Sequence, residues 1–499
     1  MQRTRSPAAT VSLRRLFPQA SFVGCADVAV SRAVASSQEC TPGCLFAALP
    51  GTVHDGRTHV ADAISRGAAA VLTPTPLANV RVPQCVVADV RAAYSELCQA
   101  ISGFPSRRLG LVGVTGTNGK TTTTWLVRSI LEAQKFGTGL LGTIEYSDGQ
   151  TAEPAELTTP DSRALADWLA AMVAARTRYA AIELSSHALD QQRASGVQLD
   201  VAIVTNITRD HFDYHGDLEA YRAAKSRILS MLKRGGLIVL NADDPESAGL
   251  AEQVPPGGQV CLIGLQNDAH VSARILDESL IGTRFSVTHG SEQCEFFTPL
   301  IGRHNVLNCL AAVAAARHFG LSLEAAADGV ATLTTVPGRL ERVIGRQPFH
   351  VFVDYAHTDD ALRNVIAAVR PMTRGRVITV FGAGGNRDAS KRPLMARAAA
   401  ASDLCVVTTD NPRHESPEAI IEQVCAGFDG TMTGVHVEAD RETAIAWAIR
   451  SAQPGDTLLI CGKGHERVQV VGDERIPFDD VAACSQHLFH YRVPRRAAS

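Results

Sequence analysis

The chain of 499 residues carries 48 Lys and Arg against 51 Asp and Glu, a formal net charge of -3. That balance argues against a basic nucleic-acid binder and against a polyacidic tail, and 45% hydrophobic with 20% charged residues excludes a disordered chain. At about 100–200 residues per domain, the length allows roughly three domains.

Arg3, Arg5, Arg14 and Arg15 stand near the start, and Phe22-Val23-Gly24-Cys25 faintly resembles a lipoprotein cleavage site. Arg14, Arg15 and Pro18 interrupt any apolar core before it, so no signal peptide is expected. No run nears the roughly 20 apolar residues of a membrane span. The expected location is the cytoplasm, with no membrane partner. The 12 cysteines are scattered, without a CxxC pair, and only Cys40 and Cys44 lie close. They are expected to be small buried apolar residues, not a zinc site or a disulfide framework.

Residues 1–107 mix short apolar runs with turn signals, as in Leu45–Leu49 before Pro50-Gly51 and Ala68–Leu72 before Pro74. They read as a small mixed α/β domain, closed by the linker Gly103-Phe104-Pro105-Ser106. Residues 108–337 alternate strand and helix. A buried-strand run, Leu109–Thr115, precedes a helix with Leu126, Val127, Ile130 and Leu131 as its apolar stripe. Further strands are expected to end at Leu184, Thr205 and Leu240. The pattern predicts a mostly parallel sheet of the P-loop ATPase kind, covered on both faces. In residues 338–499, strand runs end at four polar clusters: Asp354–His357, Gly382–Asp388, Asp410–Arg413 and Gly462–Glu466. Ligands sit beyond the carboxyl ends of strands in open α/β sheets, so this third, Rossmann-like doubly wound domain should gather the four clusters into one site.

Gly116-Thr117-Asn118-Gly119-Lys120-Thr121-Thr122 follows a strand and opens a helix, the context that gives a phosphate loop meaning. Its glycines let the backbone approach a polyphosphate, its N–H groups form an anion nest, and the helix N-terminus adds a positive dipole end. Lys120 can reach the β- and γ-phosphates, and Thr121 offers Mg²⁺ a hydroxyl. The loop is a variant: Val114 stands where a glycine is usual. Gly382-Ala383-Gly384-Gly385 would need a glycine at 387 to read as a dinucleotide fingerprint, and Arg387 stands there, which disfavours a nicotinamide or flavin enzyme.

Glu183, in Glu183-Leu184-Ser185-Ser186-His187, could bind Mg²⁺ or belong to a capping turn. Asp210 and His211 also follow a strand and could serve a second ion or a phosphate. Lys225 lies beside the stripe Tyr221, Ala224, Ile228 and Leu229, and spacing alone favours a snorkelling lysine.

These motifs, with Gly302-Arg303-His304-Asn305, Asn308, Pro337-Gly338-Arg339 and Asp354-Tyr355-Ala356-His357, resemble the Mur ligases, which build the peptide stem of bacterial peptidoglycan. The resemblance covers nearly the whole chain and is strongest to the MurE branch. It implies an ATP-dependent ligase that adds meso-2,6-diaminopimelate to UDP-N-acetylmuramoyl-L-alanyl-D-glutamate, a monomer with ATP and two Mg²⁺ ions. Asp410-Asn411-Pro412-Arg413 looks like the signature for diaminopimelate. A guanidinium can grip the carboxylate that distinguishes this amino acid from lysine.

By the same resemblance, Arg387, Gly462 and Glu466 also hold diaminopimelate. Thr158, Thr159, Ser185, Gln191 and Arg193 hold the muramoyl peptide. Asn308, Arg339 and Asp354 contact the nucleotide. Lys225 is the carbamylated lysine, a metal ligand with Thr121, Glu183 and His211, which reverses the snorkelling preference. Residues 1–107 bind the nucleotide sugar through Ser37, Thr52, Val53 and His54. Here Ser36-Ser37-Gln38 replaces the usual Asp-Ser-Arg. The alternatives are a lysine-adding or other Mur-type ligase, a folylpolyglutamate ligase, or a nucleotide switch without turnover.

Overall fold

The computed structural model describes residues 10–51, 55–430 and 434–491. Thr52, Val53 and His54 lie outside the described residues. The chain forms two compact units. One takes the chain up to Ala273 with Val287–Cys294 and Leu307–Val330; the other takes Arg274–Ser286, Glu295–Val306 and everything from Ala331 on.

The first unit holds a two-stranded ribbon, Val11–Ser12 with Ala29–Val30, and two larger sheets. A small five-stranded sheet contains Ser21–Val23, Ala33–Val34, Leu45–Ala47, Ala70–Thr73 and Gln84–Val86. All its pairings are parallel except that of Ser21–Val23. It is the mixed α/β layer expected from the short apolar runs. The larger sheet is parallel through Thr138–Leu141, Tyr179–Glu183, Gly110–Thr115, Leu199–Val204, Leu232–Asn241 and Gln259–Gly264, in that order. Gly110–Thr115 is a central strand and is buried on both faces, with Leu111, Val112 and Val114 all at 0% exposure. Its register decides what stands beside the phosphate loop: Val114 pairs with Glu183 and Thr115 with Val204.

The second unit is built on a six-stranded sheet of Glu341–Arg342, His350–Asp354, Thr457–Cys461, Val377–Phe381, Leu404–Val407 and Val435–Val437, in that order. Only the first pairing is antiparallel. Asp354 pairs with Cys461 and Phe381 with Val407, so the four polar clusters leave neighbouring strands at one edge, as the pattern predicted. Apolar clusters fill both faces, one with Phe352, Phe381 and Met395, the other with Val351, Ile378 and Ile449. Burying each such side chain contributes about 1.5–3 kcal/mol.

The 12 cysteines are all free, and nine are buried. Among the described residues no helix is long and apolar enough to cross a membrane.

Candidate active site

The first unit presents the phosphate loop between strand Gly110–Thr115 and helix Lys120–Ala133. Gly116 has φ +146°, and a Cβ there would overlap Thr205 Oγ1. Gly119 has φ +86°, and a Cβ would strike Asn308 Oδ1. Only glycine meets both demands. The neighbouring strand end straps the loop down. Thr117 N donates to Asn206 O at 2.9 Å and Asn118 N to Asn206 Oδ1 at 2.9 Å. Thr205 Oγ1 donates to Asn118 O at 2.5 Å, and Thr208 N to Thr117 Oγ1 at 2.9 Å. Asn308 sits behind the helix start, accepting from Thr123 Oγ1 at 3.3 Å. Thr122 is buried in the first helical turn.

Two lysines meet at one carbonyl. Lys120 Nζ donates to Gly116 O at 2.8 Å and Thr117 O at 2.9 Å, and Lys225 Nζ also donates to Gly116 O at 2.8 Å. Asp217 caps helix Leu218–Ser226, which puts Tyr221 and Lys225 one turn apart on its inner face. Lys225 is 1% exposed with Nζ 4.3 Å from the Tyr221 ring centre, so it does not snorkel. Burial, and then the Lys120 charge, pull its pKa well below the ordinary lysine range. Spacing could not foresee this, because the cover over Lys225 comes from the loop at Gly116, 109 residues away in sequence.

Glu183 is 0% exposed at its strand end. It accepts from Thr121 Oγ1 at 3.1 Å, Thr143 N at 2.9 Å and Thr143 Oγ1 at 2.9 Å. Among the described residues no ion pair reaches it. A carboxylate this deep, bonded only to neutral donors, suits a cation. No three His, Cys, Asp or Glu side chains converge as a metal site among the described residues. The donor set fits Mg²⁺ held by one carboxylate, a hydroxyl and phosphate oxygens. Thr143 carries no sequence signal; only the sheet brings it to Glu183.

His187, His211 and His215 form a ring cluster with Tyr214 and Tyr221, the His187 and His211 centres 4.9 Å apart. Partial burial is the main cause that lowers all three imidazole pKa values, so they stay neutral ligands or acceptors near pH 7. His211 Nε2 lies 3.4 Å from Asp210 Oδ2, and the Lys120 charge bears on the His211 ring.

Beside Glu183 the candidate peptide residues form one network. Thr143 Oγ1, whose hydrogen goes to Glu183, lies 3.2 Å from Thr158 Oγ1; Thr159 Oγ1 donates to Glu183 O at 2.8 Å, and Ser185 N to Thr159 Oγ1 at 3.0 Å. Ser185 also caps helix Ser186–Asp190, so the capping reading holds alongside the functional one. Arg193 Nη1 donates to Thr159 O at 3.3 Å and Nη2 to Gln191 Oε1 at 2.7 Å. Gln191 and Arg193 face a cavity of about 460 Å³ that Ser36, Glu39, Arg91 and Asp161 also line. Ser37 is 8% exposed, and its hydroxyl holds the Asp62 carboxyl below its usual range.

The second unit holds the remaining candidates. Asp354 accepts from Leu340 N at 2.7 Å and Ala356 N at 2.8 Å; burial raises its pKa and the Arg339 charge opposes the rise. Arg339 lies over the Tyr355 ring at 4.9 Å. Gly462 N donates to Asp354 O at 3.0 Å, which joins two of the strand ends. Asp410 is 7% exposed and accepts from Asn411 N at 2.6 Å, and Pro412 is buried beside it. Arg413 has φ +51°, and its Nη1 donates to Gly385 O at 2.8 Å. A Cβ at Gly384 would lie 3.1 Å from Arg413 Nη1 and 3.9 Å from Arg387 Cγ, so the two arginines flank that glycine. Asn411 Nδ2 donates to Glu466 Oε2 at 2.8 Å. The candidate amino-acid residues are thus assembled at one sheet edge.

The Mur ligase middle domain matches residues 114–316 and the Mur ligase glutamate ligase domain matches residues 338–464. The chain is 44% identical over 464 residues to UDP-N-acetylmuramoyl-L-alanyl-D-glutamate–2,6-diaminopimelate ligase of Solibacter usitatus, covering 91% of this chain and 92% of that one. The protein of the same name from Geobacillus kaustophilus is 43% identical over 456 residues, covering 89% and 92%. A solved ligase of this name superposes with a TM-score of 0.69 at 32% identity, over 96% and 99% of the two chains. The MurF ligase from Thermotoga maritima, solved with ADP, shares the fold with a TM-score of 0.61 at 17% identity, over 92% and 96% of the chains.

Proposed function

Because the chain belongs to the Mur ligase family, we propose that its reaction is the ATP-dependent addition of meso-2,6-diaminopimelate to UDP-N-acetylmuramoyl-L-alanyl-D-glutamate. It is a ligase of peptidoglycan precursor synthesis, working on small molecules in the cytoplasm. The observation that carries the choice of amino acid is the strand-end cluster in which Arg413 and Arg387 flank Gly384 while Glu466 stands bonded to Asn411. Two guanidiniums and one carboxylate complement a distal group that bears both a carboxylate and an ammonium. A lysine side chain would leave the guanidiniums unanswered.

Work divides along the chain. Residues 1–107 bind the nucleotide sugar, 108–337 bind ATP and the muramoyl peptide, and 338–499 bind the amino acid. The chemistry must turn a poor electrophile, the γ-carboxylate of D-glutamate, into an acyl donor. Transfer of the ATP γ-phosphoryl to that carboxylate makes an acyl phosphate. The diaminopimelate amine attacks its carbonyl carbon, and the tetrahedral intermediate expels phosphate to leave the amide. The anions that meet here repel one another. The loop N–H groups, the helix N-terminus and Lys120 counter that repulsion. Thr158, Thr159, Ser185, Gln191 and Arg193 orient the acceptor carboxylate, and the flanking arginines with Glu466 orient the amine. Asn308, Arg339 and Asp354 hold the nucleotide.

Magnesium, when bound, neutralises phosphate charge. Thr121 and Glu183 would hold one ion, and His211 with the carbamate of Lys225 a second. The lowered pKa of Lys225 supports that carbamate, since only a neutral amine adds to CO2, giving the N-carboxylate and releasing a proton.

Phosphate release in the presence of ATP, Mg²⁺ and the muramoyl dipeptide tests the reading. Release that requires diaminopimelate and ignores lysine supports it. Equal release with lysine, or release without either amino acid, refutes it.

A further inference from the structure

We infer that Lys463 is the positioning residue of the amino-acid site, through a buried ammonium that joins Asn411, Glu466 and strand Val468–Val471 into one preset receptor; this rests on the function proposed above.

Lys463 follows strand Thr457–Cys461 by two residues and is 0% exposed. An ammonium has three hydrogens and must place all of them when buried. Here three acceptors take them: Asn411 Oδ1 at 3.1 Å, Glu466 Oε2 at 3.3 Å and Val468 O at 2.6 Å. Each acceptor lies on a different segment. One is the turn after strand Leu404–Val407, one the loop after Thr457–Cys461, and one the strand Val468–Val471.

The consequences reach three of the proposed amino-acid ligands, Asn411, Glu466 and Arg413. A lysine can only donate, so the Asn411 carboxamide must turn its oxygen to Lys463, and that oxygen also accepts from Val470 N at 3.0 Å. The Asn411 nitrogen is then directed at Glu466 Oε2, at 2.8 Å. The Asn411 oxygen is spent inside the protein and its nitrogen gives one of its two hydrogens to Glu466, so the carboxamide orients other groups. Both bonds to Glu466 fall on Oε2, and 32% of that side chain stays exposed, which leaves Oε1 for a ligand ammonium. Strand Val468–Val471 also fixes Arg413. Arg413 N donates to Val470 O at 3.0 Å, and Gly472 N donates to Arg413 O at 2.7 Å. Those bonds hold the left-handed backbone from which the Arg413 side chain departs toward Gly385. One cation therefore sets the orientation of a carboxylate, a carboxamide and an arginine that would otherwise have to be ordered when the amino acid binds.

The test is the KM split in phosphate release by the full-length enzyme. Lys463→Met should raise the diaminopimelate KM by roughly 10–100-fold while leaving the ATP KM within about twofold, the scale expected when ligand groups shift by an ångström. Asn411→Ala should raise the same KM. The double variant should be no worse than the poorer single one, because both act through one network. Lys463→Gln, which keeps two N–H donors without the charge, carries the same expectation if the methionine variant does not fold. An unchanged diaminopimelate KM, an equal rise in both KM values, an additive double variant, or failure of both Lys463 variants to fold would each overturn the inference. A wild-type enzyme that ignores diaminopimelate would overturn the proposed function itself, and this inference with it.

Discussion

Gly116→Ala puts a methyl group where the structure has no room for one. The residue has φ +146°, and the added Cβ would overlap Thr205 Oγ1 and stand 3.2 Å from Asn206 O. The backbone strain costs about 1–2 kcal/mol for an L side chain. Relieving the overlap must move Thr205, which is 6% exposed and bonded to Asn118 O at 2.5 Å and Thr115 O at 3.3 Å. Overpacking of this kind costs about 1–3 kcal/mol. The sum, about 2–5 kcal/mol, corresponds to a Tm loss on the order of 10 °C. The ATP KM should rise as well, because the loop N–H groups no longer converge. Removing the obstacle discriminates this account from general damage. Thr205→Ala alone gives up the one hydrogen bond its hydroxyl can donate, about 0.5–1.5 kcal/mol. In the double variant the overlap vanishes, so its loss should fall short of the sum of the singles by about 1–3 kcal/mol. Thermal unfolding of the four proteins, with ATP titrations of phosphate release, measures the cycle. Additive losses, or a Gly116→Ala enzyme with wild-type Tm and ATP KM, would refute the steric argument.

Glu183→Gln should lower kcat about 100–1,000-fold while Tm holds or rises, because the amide keeps the shape and removes a buried charge that only neutral donors bond; magnesium titrations of kcat beside melting curves check both halves. Lys225→Ala should lose most activity, and bicarbonate should activate wild-type enzyme prepared free of CO2 but not the variant; full activity of the variant would remove the carbamate from the mechanism. The depressed Lys225 pKa also predicts a pH dependence of stability. The unfolded chain binds this proton more readily than the folded one, so in CO2-free buffer the wild-type Tm should gain on that of Lys225→Met as pH climbs toward 10.5, the ordinary lysine value. A constant difference between the two melting curves would contradict the buried amine. Arg413→Ala should raise the diaminopimelate KM at least about tenfold with the ATP KM unchanged, since a charge-assisted bidentate contact contributes about 1.5–3 kcal/mol; equal effects on both substrates would remove Arg413 as the selector.

Lys225 and Asn411 show where reading a chain residue by residue stops. The apolar stripe of Tyr221, Ala224, Ile228 and Leu229 makes Lys225 look like a surface lysine lying along its helix. Its burial depends on Gly116, which comes from another part of the chain. Asp410-Asn411-Pro412-Arg413 reads as a diaminopimelate signature, with Asn411 among the groups that hold the ligand. The carboxamide is instead tied inward by Lys463, a residue that sequence placed in a polar cluster without a task. Thr143 had no signal at all, although it supplies two of the three bonds on Glu183.

What the amino-acid order determined by itself was whatever is local. The phosphate loop is a contiguous string whose glycines, lysine and threonine act over one strand-to-helix turn. The apolar strand runs mark their own polar ends, so the four clusters of the second unit were visible before any contact was known. Tertiary structure decided which oxygen or nitrogen of each side chain remains for chemistry. That depends on partners brought together by sheet register: Val114 beside Glu183, Asp354 beside Cys461, Phe381 beside Val407. Periodicity records which face of an element is apolar. The charge state of a buried amine, and the direction of a carboxamide, follow from neighbours that only the packed sheet supplies.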